Sequence, residues 1–135
     1  MVVENSGLLT VAALKHLECK DKKVVSVLSG GNMDVITLSS VVQHGLIERG
    51  RVFTASVLLP DRPGQLVNIA TIIAENQGNV IRLDHNQFVS TNRNSAVELT
   101  ITMEAFGHDH KNEIIKALKD AGYSPNLVQP KNLYI

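Results

Sequence analysis

After Gly50 the chain switches repeatedly between a two-residue and a 3.6-residue apolar period, and each stretch closes on its own breaker. Val52, Thr54, Ser56 and Leu58 alternate with Phe53, Ala55, Val57 and Leu59, which predicts a strand ending at Pro60. Asp61-Arg62-Pro63-Gly64 then reads as a turn, and Leu66, Ile69, Ala70 and Ile73 make a helical stripe that stops at Gly78. Asn79 to Phe88 reads as extended, and Ser90 to Asn94 as a polar, hairpin-type connection. Val97, Leu99, Ile101 and Met103 restore the strand alternation. Ile114, Ile115, Leu118 and Ala121 predict a second helix, closed by Gly122 in the position that favours a left-handed residue. Tyr123 to Val128 supplies a last strand. The order is βαββαβ, an α+β class with the ferredoxin-like plan.

Before Gly50 the pattern differs. Leu8, Leu9, Val11, Ala12, Leu14 and Leu17 fall three and four apart, a helix that Asn5 or Ser6 can cap. Val24 to Leu28 reads as a buried parallel strand, Ser29-Gly30-Gly31-Asn32 as its break, and Asp34 through Glu48 as a second helix. Helix, strand and helix are a slice of an α/β layer without the neighbouring strands that would pair with Val24–Leu28. The expected division is therefore 1–50 and 51–135.

Composition removes several functions. Thirteen Lys and Arg balance thirteen Asp and Glu, so no basic face is expected to displace counterions from duplex nucleic acid. Phe53, Phe88 and Phe106 are scattered, which also argues against the base-stacking sheet that RNA-binding βαββαβ domains use. The single cysteine, Cys19, permits no internal disulfide and fits a reducing cytoplasm. No apolar run approaches the roughly 18–20 residues that span a bilayer. The start has no basic stretch of the signal-peptide kind. A soluble cytoplasmic protein is expected.

Two turns hold the candidate site residues. At Asp61–Leu66 a strand ends, the chain turns on Pro-Gly and a helix begins at once, so free N–H groups and the helix dipole favour a carboxylate there. Gly64 admits a close backbone approach. The plainer reading is that Asp61 caps the helix and Pro63 sits in its first turn. At Ser29-Gly30-Gly31-Asn32, successive glycine amides suggest an anion nest or simply a tight turn. His108-Asp109-His110 invites a metal, but no further ligands converge in the sequence. Asp109 is better read as the cap of a helix beginning near His110, and no metal is expected.

Residues 51 to about 128 resemble an ACT domain, through Asp61-Arg62-Pro63-Gly64-Gln65-Leu66, Gly78-Asn79-Val80 and Gly122-Tyr123 in their places between elements. The resemblance implies an amino-acid effector held between two such domains, bordered by Asp61, Gly64, Gln65, Leu66 and Asn79. For Asn79 a plain turn role after Gly78 stays open. Lys23 through Arg51, with Ser29-Gly30-Gly31-Asn32, resembles the last part of the catalytic domain of serine and threonine dehydratases, which use pyridoxal phosphate. In that family the matching serine hydrogen-bonds the pyridine nitrogen, so Ser29 to Asn32 are the implied cofactor contacts. Glu4-Asn5-Ser6-Gly7 resembles an upstream acidic segment of the family and is assigned no role.

The whole looks like the regulatory end of a threonine dehydratase, with isoleucine or a similar amino acid as effector and a homodimer or larger assembly as its state. The alternative is a free-standing ACT-type module acting on a partner. The family's Schiff-base lysine follows a serine and an aromatic residue, and no lysine here does. The chain by itself is therefore expected to bind no cofactor, to carry no catalytic residue and to be no working lyase.

Overall fold

The computed structural model describes residues 2–60, 62–86 and 96–129. The chain forms two compact units, Met1–Val42 and Gln43–Ile135.

In the first unit the predicted helix breaks up. A 3-10 turn at Ser6–Leu8, a short α1 (Leu9–Ala13) and a second 3-10 turn at Leu14–His16 replace it. Asn5 takes the N-cap position of the first turn, but its side chain makes no capping bond. Leu9 and Leu17 are more than half exposed. Short helices gain their stability from a packed face, and here that face has little to pack on. The expected strand is absent: residues 22–34 have no regular structure, and Val25 is 88% exposed. A lone parallel strand has no neighbour to take its N–H and C=O groups. The segment is held instead by side chains, with Thr10 Oγ1 donating to the Val27 carbonyl (3.0 Å) and Ser26 Oγ donating to Thr10 Oγ1 (2.7 Å).

α2 (Val35–Glu48) follows the predicted span. Asp34 starts it: Oδ1 accepts the Thr37 N–H at 2.9 Å and Oδ2 accepts the Thr37 hydroxyl at 2.5 Å. These bonds hold the Asp34 carboxyl below its ordinary value of 3.8. A depressed carboxyl contributes stability above its unfolded pKa and loses it as pH falls through the folded one. The Thr37 amide shift should therefore titrate with a midpoint below 3.8. Asp34→Asn should keep the cap and abolish that titration. A midpoint at or above 3.8 overturns this reading.

The second unit is the four-stranded antiparallel sheet expected. Its strands are β1 (Val52–Pro60), β2 (Asn79–Asn86), β3 (Ala96–Glu104) and β4 (Asn126–Val128), in the order β2-β3-β1-β4. The last strand is shorter than predicted, and Gln87 to Ser95, with the predicted connection 90–94 and the end of the second strand at Phe88, lie outside the described residues. The helices are α3 (Gln65–Glu75) and α4 (His108–Asp120). Phe53, Ala55, Val57 and Leu59 of β1 and Leu99, Ile101 and Met103 of β3 meet Ile69, Ile73, Ile114 and Leu118 of the helices in one core. The opposite sheet face is polar, with Thr54 Oγ1 and Thr102 Oγ1 2.9 Å apart and Ser56 Oγ donating to Glu98.

Three helix ends in this unit, those of α2, α3 and α4, are built in the same way, a left-handed residue closing two backbone bonds. At α2, Gly50 (φ 65°) donates to the Ile47 carbonyl and Arg51 to that of Leu46. At α4, Gly122 (φ 89°) donates to Lys119 and Tyr123 to Leu118, as the sequence predicted for Gly122. At α3 the left-handed residue is Gln77 (φ 59°), with Gly78 following it. The N-terminus of α4 corrects an expectation: the helix starts at His108 after Gly107, whose φ is 149°, and Asp109 lies in its first turn without capping it. Its carboxylate sits in the first turn, where the helix dipole favours it, and not at the N-cap.

Candidate functional site

Gly64 is the N-cap of α3 and stands at φ 92°, ψ −17°, a left-handed conformation that glycine adopts without strain. Arg62 N–H donates to the Pro60 carbonyl at 2.8 Å and tightens the turn. The first amides of α3 have no acceptor within the helix, and its first turn carries no acidic residue. They border a cavity of about 320 Å³, lined by Pro60, Arg62, Pro63, Gly64, Gln65, Leu66 and His85, with Leu59 and Val97 at its base. Tyr123 donates its hydroxyl to Gln65 Oε1 at 3.3 Å, which leaves the Gln65 NH2 to donate. Arg62 carries the formal charge among the described lining residues, so with the helix dipole the field there favours an anion. Of the predicted effector residues the structure brings together Gly64, Gln65 and Leu66. Asp61 lies outside the described residues.

Asn79 does not join them in one copy. β1 and β2 each run antiparallel to β3, hence parallel to each other, and Asn79 pairs with Glu104, which pairs with Val52. The turn leaves the far end of β1, so the length of β2, about 23 Å at roughly 3.3 Å per residue, separates it from Asn79. Nor does Asn79 take positive φ after Gly78; it starts β2 and donates from Nδ2 to Glu104 Oε2 at 2.8 Å. His85 is the residue that sequence reasoning missed. Its signal was available, because parallel β1 and β2 put the last residues of β2 beside the turn.

A family model described as "ACT domain" matches residues 53–122. The chain belongs to the ACT domain family. It is similar to the L-threonine ammonia-lyase of Geobacter sulfurreducens, 38% identical over 131 residues, covering 96% of this chain and 33% of that protein. It is also similar to the L-threonine ammonia-lyase of Thermotoga maritima, 33% identical over 129 residues, covering 95% and 32%. A "biosynthetic" L-threonine dehydratase of Corynebacterium glutamicum is 34% identical over 67 residues, covering 49% and 15%. The chain thus spans about a third of the length of the ammonia-lyases it matches. A solved structure from Bacteroides thetaiotaomicron, protein BT0572, is 20% identical with a TM-score of 0.40, over 58% of this chain and 48% of that one.

Two histidines of this ACT domain, His108 and His110, serve its frame. His108 Nε2 lies 2.9 Å from the Glu48 carbonyl. His110 Nδ1 accepts the Phe106 N–H at 3.0 Å, so Nε2 carries the proton and donates to the Asn76 carbonyl at 2.6 Å. The His110 ring also stacks on Phe106, with centroids 4.7 Å apart. Both rings are engaged with backbone, and among the described residues no group of three metal-ligating side chains converges. No helix among them is long and apolar enough to cross a membrane.

In the first unit, Ser29-Gly30-Gly31-Asn32 is exposed, with Gly30 at φ 78°. The Glu4–Gly7 segment packs directly on it. Glu4 N–H donates to the Gly30 carbonyl at 3.2 Å, and a Cβ at Gly7 would fall 1.5 Å from the Ser29 carbonyl oxygen. A Cβ at Gly30 would fall 2.0 Å from Glu4 Oε1. Gly7 is therefore required by close backbone contact, and Gly30 by its left-handed backbone. A carboxylate against Gly30 disfavours the anion nest that the glycines suggested. What remains compatible with pyridoxal phosphate is the accessible Ser29 hydroxyl, a partner for a ring nitrogen.

Proposed function

We propose that residues 51–135 sense an amino acid for a threonine ammonia-lyase, and that residues 1–50 are the end of that enzyme's catalytic domain. The carrying observation is the turn cavity, which offers helix amides, Arg62, His85 and the Gln65 amide to a carboxylate, with Leu59, Leu66 and Val97 as apolar walls. An amino acid with a branched apolar side chain suits that division, and isoleucine is the effector proposed. The cavity opens beside β2, a sheet edge with one side unpaired. A second copy adding its own β2 there covers the edge and seals the ligand in the seam. Pyridoxal phosphate belongs to the complete enzyme, where it supplies an electron sink for eliminating the threonine hydroxyl; Ser29 is the proposed partner of its ring nitrogen.

Thermal shift with L-isoleucine tests the sensor, since ligand at 100 times its Kd stabilises a fold by about 2.7 kcal/mol. Gln65→Glu is the discriminating variant. It places a carboxylate in the first turn of α3, which the dipole favours, so the free protein should melt no earlier than the wild type. The same charge repels an incoming carboxylate, and the isoleucine response should disappear. An unchanged response in Gln65→Glu overturns the turn as the site.

A further inference from the structure

The charge on Lys111 is not accounted for by the fold. It is the fourth residue of α4, at the end of the helix where the dipole disfavours a cation. It is half-buried, although lysine is seldom buried without a partner. Among the described residues its ammonium makes no ion pair or side-chain hydrogen bond, with Asp109 and Glu113 of the same helix included. Its hydrocarbon stem can cover apolar surface, but a methionine would do the same without a charge.

Beside it lies a cavity of about 290 Å³, on the β1–β4 side of the sheet and away from β2. Ile47 of the last turn of α2, Val52 and Phe53 of β1, and Leu127 and Val128 of β4 form its walls. Val52 and Phe53 are buried, whereas Leu127 is 55% exposed and Val128 39%. The remaining lining is neutral: the Thr54 hydroxyl is engaged with that of Thr102, and Gln129 adds an amide. Lys111 is thus the one ionisable group among the described lining residues. The volume is just below the roughly 300–1,000 Å³ of drug-sized pockets and suits one short chain.

We propose that this cavity binds a monocarboxylate with a short aliphatic chain. Lys111 Nζ donates to the carboxylate, and Ile47, Val52, Phe53, Leu127 and Val128 enclose the chain. One cation answers one negative charge, so a carboxylate fits better than a phosphoryl group with its higher charge and three acceptor oxygens. With no carboxylate in the lining, the ammonium of a free amino acid would enter apolar surroundings unpaired. The site lies at the Val52 end of β1, the turn cavity at the Pro60 end, and neither needs the other.

Titration of the chain with hexanoate, followed by backbone amide shifts, tests it. Hexanoate should move the amides of Phe53, Lys111 and Leu127 saturably. Hexanamide lacks the charge, acetate lacks the chain and L-isoleucine adds an ammonium, so each should bind there about tenfold or more weakly. Lys111→Met keeps the stem and removes the charge. It should weaken hexanoate by about the same factor yet melt no earlier than the wild type, and Lys111→Arg should restore binding. The proposal is overturned if hexanoate moves none of these amides, if Lys111→Met leaves its affinity unchanged, or if hexanamide or L-isoleucine binds there as well as hexanoate does. It is also overturned if Lys111→Met lowers the melting temperature, because the charge would then serve the fold.

Discussion

Gly78→Val should destabilise the second unit by about 3 kcal/mol, while Gln77→Gly, one position earlier, should stabilise it by about 0.5 kcal/mol. The two residues lie in the same helix ending and differ in what they need. A Cβ at Gly78 would lie 2.8 Å from Ile73 Cγ2 and 3.0 Å from Ile114 Cδ1, and both isoleucines are at most 1% exposed. Neither can swing aside in a filled core without displacing its own neighbours. Gln77 is exposed and meets no such wall, but it carries a side chain at φ 59°. The left-handed backbone costs a residue with a Cβ about 1–2 kcal/mol. Glycine removes that strain and returns part of the gain as unfolded-chain entropy. Urea melts of the two variants with unchanged slope are the measurement. If Gly78→Val melts with the wild type, Gly78 is not the packing residue described here. If Gln77→Gly loses stability, the strain at residue 77 is not real.

The same helix ending shows what the sequence made legible. The stop at Gly78 was readable, because a glycine closes an apolar stripe. Which residue turns left-handed was not, because the hydrogen bonds decide it, and they place Gln77 at that position with Gly78 next. The sheet and its core were legible since alternation at Phe53–Leu59 and Val97–Met103 can bury only one set of residues. Val24 to Leu28 misled for the opposite reason. An unbroken apolar run forms a strand only when other strands flank it, and the sequence before Gly50 offers none to flank this one. For the candidate site, Gly64, Gln65 and Leu66 are contiguous, so finding one found all three. Asn79 and His85 sit at opposite ends of one strand, and assigning the right end required strand direction, not residue type. Pairing across β3 puts Asn79 with Glu104, which no local pattern contains.

Gly50→Ala should cost about 2–3 kcal/mol, clearly more than Gly64→Ala at about 1 kcal/mol, although both glycines have positive φ. At Gly64 (φ 92°) a methyl would meet nothing within 4 Å, so backbone strain is its whole effect. At Gly50 (φ 65°) a Cβ would lie 2.9 Å from the His108 backbone nitrogen and 3.0 Å from its Cα. Those atoms belong to the first turn of α4 and cannot rotate away as a side-chain tip would. Relief therefore requires α2 and α4 to separate locally, which stretches the His108 Nε2 contact to the Glu48 carbonyl and the bonds that Gly50 and Arg51 make to Ile47 and Leu46. His108→Ala in the Gly50→Ala background should recover little, since it removes the imidazole but leaves the clashing backbone. Equal losses at the two glycines would show that Gly50 is there for φ alone. A full rescue by His108→Ala would show that the imidazole, and not the helix backbone, sets the closeness of that packing.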